Sequence, residues 1–142
     1  MHGGIVGHEA AKFTPATEAK ARELIRGILA PEDTVLVSGG CHLGGIDIWA
    51  EEEADALGRE KVIHLPHVRN WSGYKRRNVK IARDSEVVYS IVVETLPASY
   101  RGMRFTSCYH CGTDDHVKSG GCWTARHARQ LGKEGVVLVV RG

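Results

Sequence analysis

The chain has 142 residues, of which 42% are hydrophobic and 25% charged, and its formal net charge is +2. This composition belongs to an ordinary globular chain, long enough for one domain with a real core. A charge this small gives no bulk argument for nucleic-acid binding, and no apolar run is long enough to span a bilayer as a helix.

The chain opens Met1-His2-Gly3-Gly4, with no cationic segment followed by an apolar one. No secretory signal is expected, and the chain reads as cytoplasmic. Ile5-Val6 reads as a short first strand. Thr14 and Pro15 make a helix start, with Thr as N-cap and Pro at the first helical position. Ala21, Leu24, Ile25, Ile28 and Leu29 then recur at helical spacing, so one face is buried. Residues 34–37 form a second strand, expected at the centre of a sheet. A glycine-rich loop follows, Ser38-Gly39-Gly40-Cys41-His42-Leu43-Gly44-Gly45-Ile46-Asp47, and opens a helix over 47–57 that Gly58 closes.

Residues 62–65 read as a third strand. A helix over 72–83 lies in a basic stretch holding Arg69, Lys75, Arg76, Arg77, Lys80 and Arg83. A fourth strand spans 87–93. The next twenty-five residues, 94–118, break the rhythm, and loops of that length are usually functional or held by something added. A second glycine turn, Ser119-Gly120-Gly121-Cys122-Trp123-Thr124, precedes a helix over 123–131 closed by Gly132, and 136–140 is the last strand.

Strands alternating with helices predict an α/β fold: a single doubly wound Rossmann-like domain with a mostly parallel sheet of about five strands. The domain is expected to cover residues 1–142, with a metal-binding loop inserted at 95–122. In such sheets ligands bind beyond the carboxyl ends of the strands, where both glycine turns would lie. A glycine turn that opens a helix lets backbone N–H groups close on an anion, and the helix dipole favours negative charge there. Two such turns point to a nucleotide or nucleoside phosphate. Asp47 suits either a helix cap or a ribose hydroxyl.

The ordered set of Ser38-Gly39-Gly40 with Gly44-Gly45-Ile46-Asp47, then Arg77-Asn78 with Ile81-Ala82 and Ser85, then Ser119-Gly120-Gly121 with Thr124-Ala125, Ala128 and Gly132-Lys133, resembles the Rossmann-like domain of the DNA-processing protein A family. More broadly it is similar to the SLOG superfamily, which includes the LOG-type cytokinin riboside phosphate phosphoribohydrolases. The resemblance runs from Ile5 to Val140. It implies a nucleotide-derived ligand held by Ser38, Gly39, Gly40, Gly44, Gly45 and Asp47, by Arg77 and Asn78, and by Ser119, Gly120, Gly121 and Thr124. Gly7 and His8 stand where many small members carry Gly-Ser-Arg, so His8-Glu9 replaces the Ser-Arg pair. It also implies that the chain pairs as a homo-oligomer.

The phosphoribohydrolase branch carries PGGxGTxxE, whose glutamate here is His127. Cleavage of an N-glycosidic bond passes through an oxocarbenium-like state that a carboxylate assists. Asp47 and Glu94 are the carboxylates placed to substitute as catalytic groups. Three functions follow: binding of a nucleotide or nucleoside-phosphate derivative, N-glycosyl hydrolysis, and binding of single-stranded nucleic acid through the basic stretch with Trp71 and Tyr74.

Three of the four cysteines fall within fifteen residues, in the pattern C-x2-C-x4-H-x5-C: Cys108, Cys111, His116 and Cys122. This resembles the zinc knuckle of retroviral type with one extra residue before the last cysteine. Three thiolates and one imidazole make a closed structural zinc site. Cys122 also belongs to the second glycine turn. Were it held there alone, His110, Asp114, water or a partner chain would complete the set.

Overall fold

The computed structural model describes residues 1–142. Its elements run β1 (His2–Gly7), a 3-10 turn (Ala10–Lys12), α1 (Pro15–Leu29), β2 (Val35–Ser38), α2 (Ile46–Leu57), β3 (Lys61–Ile63), α3 (Trp71–Asp84), β4 (Val87–Val93), α4 (Gly120–Gln130) and β5 (Glu134–Val140). All four pairings in the five-stranded sheet are parallel, in the order β3-β2-β1-β4-β5. The expected α/β architecture is therefore present, with β1 rather than β2 at the centre.

Side-chain alternation along the strands divides the core in two. Ile5, Leu36 and Ile91 face α1 and α2, packing with Ile25, Leu29, Ile46 and Trp49. Val6, Val37 and Val88 face the other way, against Ile81 and Ala82 of α3 and Ala125 and Ala128 of α4. Small residues on α4 let that helix lie close to the sheet.

Local chemistry sets the helix starts. Thr14 and Thr17 form a reciprocal capping box at α1 with Pro15 in first position. Asn70 accepts the Gly73 N–H at 3.0 Å and starts α3. Ser119 accepts the Gly121 N–H at 3.1 Å, so α4 begins at Gly120 rather than near residue 123. Glycine lowers helix propensity by about 1 kcal/mol, but at residue 121 it fits the packing. A β-carbon there would stand 2.9 Å from the Ser90 hydroxyl and 3.0 Å from the Gly7 nitrogen. The second glycine turn is thus the first turn of a helix laid on the sheet. In the first loop, Gly45 is the N-cap of α2 with φ +85°, and Asp47 sits inside the first helical turn.

Residues 94–118 contain no helix or strand beyond one isolated antiparallel bridge, Cys108 to Thr113. No helix is long and apolar enough to cross a membrane.

Candidate functional site

Strand connections leave β1 toward β2 on one side and later cross to β4 on the other, so the strand order reverses between β1 and β4 while the strands stay parallel. A crevice opens at such a point beyond the carboxyl ends of the strands. Here it is a cleft of about 410 Å³. Gly7, His8 and Glu9 form its floor, Ser119, Gly120 and Gly121 at the start of α4 one wall, and Trp71, Tyr74, Arg77 and Asn78 of α3 the other. Cys41, His42, Leu43 and Asp47 close the third side, with Lys12 and Lys118 at the margin.

Asp47 is buried, and burial pushes its carboxyl up to about 6 although the Arg77 guanidinium opposes the shift. Its Oδ2 accepts the Cys41 N–H at 3.2 Å and lies 3.8 Å from Arg77 Nη1. The same Nη1 donates to the Gly39 carbonyl at 2.6 Å, and the ring of Tyr74 lies 5.5 Å from the guanidinium carbon. Arg77 Nε is buried and has no hydrogen-bond partner. Burial raises the Cys41 thiol, which keeps it from acting as a ready nucleophile.

His8 uses both ring nitrogens inside the protein. Nδ1 accepts the Val93 N–H at 3.0 Å, so Nε2 carries the proton and donates to the Lys118 carbonyl at 2.9 Å. Burial pushes this imidazole down to about 3, and it is neutral at physiological pH. His8 therefore braces the long loop against β1 and β4 while its side faces the cleft.

Of the residues read from sequence as ligand-binding, the cleft brings together Gly7, His8, Asp47, Arg77, Asn78, Ser119, Gly120 and Gly121. The others lie elsewhere. Ser38 is buried, and its hydroxyl donates to Glu51 Oε2 at 2.8 Å. Gly39 lies beneath the Arg77 guanidinium, and Gly40 borders a separate small pocket with Leu65 and Pro66. Gly44 packs near Ala10, and Gly45 abuts the backbone of His8 to Ala10. Thr124 is buried, and its hydroxyl donates back to the Gly120 carbonyl at 3.3 Å. Glu94 pairs with Arg141 at 2.9 Å and faces a different pocket, beside Arg104 and Asp115. Lys12, at the end of the 3-10 turn, and Lys118, in the long loop, join the cleft without any sequence signal.

Cys108, Cys111, His116 and Cys122 converge, their ligand atoms all within 4.8 Å of one another. All four cysteines are free of disulfides. His116 Nε2 is 3.5 Å from Cys122 Sγ. A tetrahedral zinc with ordinary Zn–S and Zn–N bonds would place such a pair about 3.6 Å apart. His116 Nδ1 meets the Asp115 carboxylate at 2.7 Å, the outer contact that orients a ligating imidazole. The Cys108-to-Gly112 turn is tight, with the Gly112 N–H donating to the Cys108 carbonyl at 2.9 Å and Gly112 at φ +69°. Burial raises the Cys108 thiol, but backbone N–H groups of Ser119, Cys111 and His110 outweigh it and hold it below its ordinary value. Cys122 stands in the first turn of α4 with its sulfur 3.4 Å from the Ser90 hydroxyl of β4. The donor set fits a metal ion, and Val92, Val137 and Val139 shield it from the sheet side. His110 and Asp114 are outside the converging set.

No protein-family model matches the chain, and no curated protein matches it. Among solved structures the chain is similar to DNA processing protein A from Streptococcus pneumoniae, with a TM-score of 0.63 at 16% identity. The match covers 97% of this chain and 49% of that one, so the chain spans about half the length of that relative. At this identity the likeness establishes the Rossmann-like fold.

Proposed function

We propose that the chain binds a nucleotide or nucleoside-phosphate derivative in the cleft between β1 and β4, beside a zinc-stabilised loop. The observation that carries this reading is the convergence, at one topological switch point, of an anion-favouring helix start, a guanidinium with an unpaired buried nitrogen, and an aromatic wall. The phosphate goes to the N-terminal turn of α4, where the helix dipole favours an anion; the Gly121 and Cys122 N–H groups already bond Ser119, so the Gly120 N–H is the donor it would meet. A ligand anion would meet the Arg77 guanidinium where it lines the cleft, and Asn78 orients the sugar or base. The base stacks on Trp71, which is 51% exposed at the mouth of the cleft. Lys118 adds positive charge at the margin, while Lys12 is paired with Glu9 of the cleft floor at 3.4 Å.

A second reading rests on Asp47. A buried carboxyl held near pKa 6 in the cleft is equipped for proton transfer at neutral pH, as N-glycosyl hydrolysis requires. Glu94, the other carboxylate considered for that reaction, points away toward Arg141. A third reading takes its cue from the name of the similar solved structure and makes the ligand single-stranded DNA, bound along Arg69, Arg76 and Lys80. These side chains border two small pockets between α3 and the connection that precedes it, one of which shares Tyr74 and Arg77 with the cleft.

The test is titration calorimetry with a panel of nucleoside mono- and diphosphates, followed by chromatography of the same mixtures. Saturable binding without free base supports the leading reading. Release of free base that Asp47→Asn abolishes supports hydrolysis. Binding confined to oligonucleotides and falling steeply with salt supports the third.

A further inference from the structure

We propose that metal occupancy of the Cys108, Cys111, His116 and Cys122 cluster sets the affinity of the neighbouring cleft, so that ligand binding is conditional on the metal. This deepens the nucleotide-binding reading and rests on it for the identity of the ligand.

The two sites share one segment of chain. His116 and Cys122 are cluster members, and Lys118, Ser119, Gly120 and Gly121 between them line the cleft. A metal ion held at both ends closes this segment into a short loop and fixes its ends. Ser119 to Gly121 are also held by the α4 cap and by the packing of Gly121 on β1 and β4, whereas Val117 and Lys118 are tied by three hydrogen bonds. The Val117 N–H donates to the Val93 carbonyl at 3.1 Å, and the Lys118 N–H donates to the Ser107 carbonyl at 3.1 Å. The Lys118 carbonyl receives the His8 proton.

Two of these ties lead back to the cluster or the cleft. Ser107 precedes Cys108 in the chain, so the partner of Lys118 is itself placed by the first cysteine. His8 lines the cleft and braces Lys118, so displacement of the loop withdraws the partner of a buried imidazole on the cleft floor. The 94–118 stretch has no regular element of its own to hold it in place. Metal binding would add to the order that His8 and the Tyr100–Glu9 contact already give it, since binding free energy at such sites is folding free energy. The start of α4 depends on Ser119 as its cap, and that residue joins the cluster to the anion-binding wall. The ion does not need to touch the ligand, because none of the four cluster residues lines the cleft.

Linkage requires the effect to be reciprocal. The experiment measures the affinity of adenosine 5′-monophosphate for the zinc-loaded chain and for the chain stripped by chelator under reductant. Hydrogen exchange of residues 117–124 is followed in both states. The expected result is a loss of affinity of about tenfold or more on stripping, with faster exchange at Ser119 to Thr124. Zinc bound at one per chain with unchanged nucleotide affinity and unchanged exchange would overturn the coupling and leave nucleotide binding standing. If adenosine 5′-monophosphate binds neither state, the nucleotide reading fails; faster exchange at Ser119 to Thr124 on stripping then still supports metal control of the cleft wall, and unchanged exchange overturns it.

If the stripped chain unfolds altogether, a second measurement on the loaded protein decides. Nucleotide should raise the equilibrium zinc affinity, measured by competition with a chromogenic chelator, by the same factor, and an unchanged affinity refutes the proposal. Cys111→Ser gives a third check, because Cys111 contributes to the cluster and lies outside the cleft. The folded variant should lose zinc affinity and nucleotide affinity together.

Discussion

The guanidinium of Arg77 lies directly on Gly39. Nη1 donates to the Gly39 carbonyl at 2.6 Å, and a β-carbon at residue 39 would stand 2.9 Å from the guanidinium carbon. Gly39 thus serves the site by leaving room for the cation rather than by presenting its own N–H to a phosphate. Gly39→Ala should force Arg77 out of place, as overpacking of a fitted contact does, at a cost of about 1–3 kcal/mol. Chemical denaturation checks the cost. Loss of Arg77 from beside Asp47 should also raise the Asp47 pKa further, read by carbon NMR of the carboxyl.

Asp47 makes a separate statement about pH. Its folded-state pKa of about 6 lies above the ordinary aspartate value of 3.8. Between these values the folded state holds more protons than the unfolded state, so stability falls as pH rises from about 4 to about 6. The cost of keeping the ionised form buried is complete above pH 6 and absent below 4, and amounts to about 1–3 kcal/mol. Asp47→Asn keeps an acceptor for the Cys41 N–H and should flatten this part of the profile. An unchanged slope in denaturation midpoints across that window would refute it.

His8 titrates in the opposite sense. Its folded-state pKa of about 3 lies below the ordinary 6.5. The unfolded state binds the extra proton between these values, so stability falls as pH drops from about 6.5 toward 3. The two slopes oppose each other between about pH 4 and 6, so the His8 contribution emerges in the Asp47→Asn background. His8→Ala would leave the Val93 N–H and the Lys118 carbonyl without their partner. Unpaired buried groups cost about 1–3 kcal/mol each, and urea denaturation at pH 7 should show a loss of this order or greater.

These residues also mark the limit of what sequence shows. Strand and helix periodicity revealed the parallel sheet, and β4 falls on residues 87–93 as its run of valines and isoleucine suggests. The Cys-His spacing brought out the cluster, because ligand geometry constrains spacing strongly. Glycine was less readable. It marks close approach as readily as anion contact, and Gly39, Gly45 and Gly121 are each filled against a neighbour that only the folded chain supplies. Lys12 and Lys118 reach the cleft from a single 3-10 turn and a long loop, neither of which carries periodicity. Asp47 stood out as a candidate, but its raised pKa depends on burial, which composition does not encode.

The outer partner of His116 offers a clean metal measurement. The Asp115 carboxylate meets Nδ1 at 2.7 Å, leaving Nε2 to face Cys122. Asp115 is exposed and is not itself in the ligand set. Asp115→Asn should leave the fold in place and weaken zinc affinity by about 10–100-fold, the usual effect of losing an orienting carboxylate. Competition with a chelator of known affinity measures it. Retention of full affinity would mean that the ring is oriented by packing alone.

On the proposed nucleotide reading, the aromatic wall would separate base recognition from phosphate recognition. Trp71 stands at the cleft mouth with its ring 5.8 Å from Trp123, edge to face, and Trp123 in turn stacks on His127 at 5.1 Å. The neighbouring ring fixes the orientation of Trp71 and leaves part of its surface open, so a nucleobase has a platform whose position is already set. Stacking on such a ring is worth about 1–3 kcal/mol per base. Trp71→Ala should therefore weaken adenosine 5′-monophosphate by about 10–100-fold and leave inorganic phosphate unaffected. Arg77→Ala should weaken both ligands, because the guanidinium answers the anion rather than the base. Calorimetry of the two variants against the two ligands distinguishes these roles, and an equal loss of phosphate binding in Trp71→Ala would place the base elsewhere.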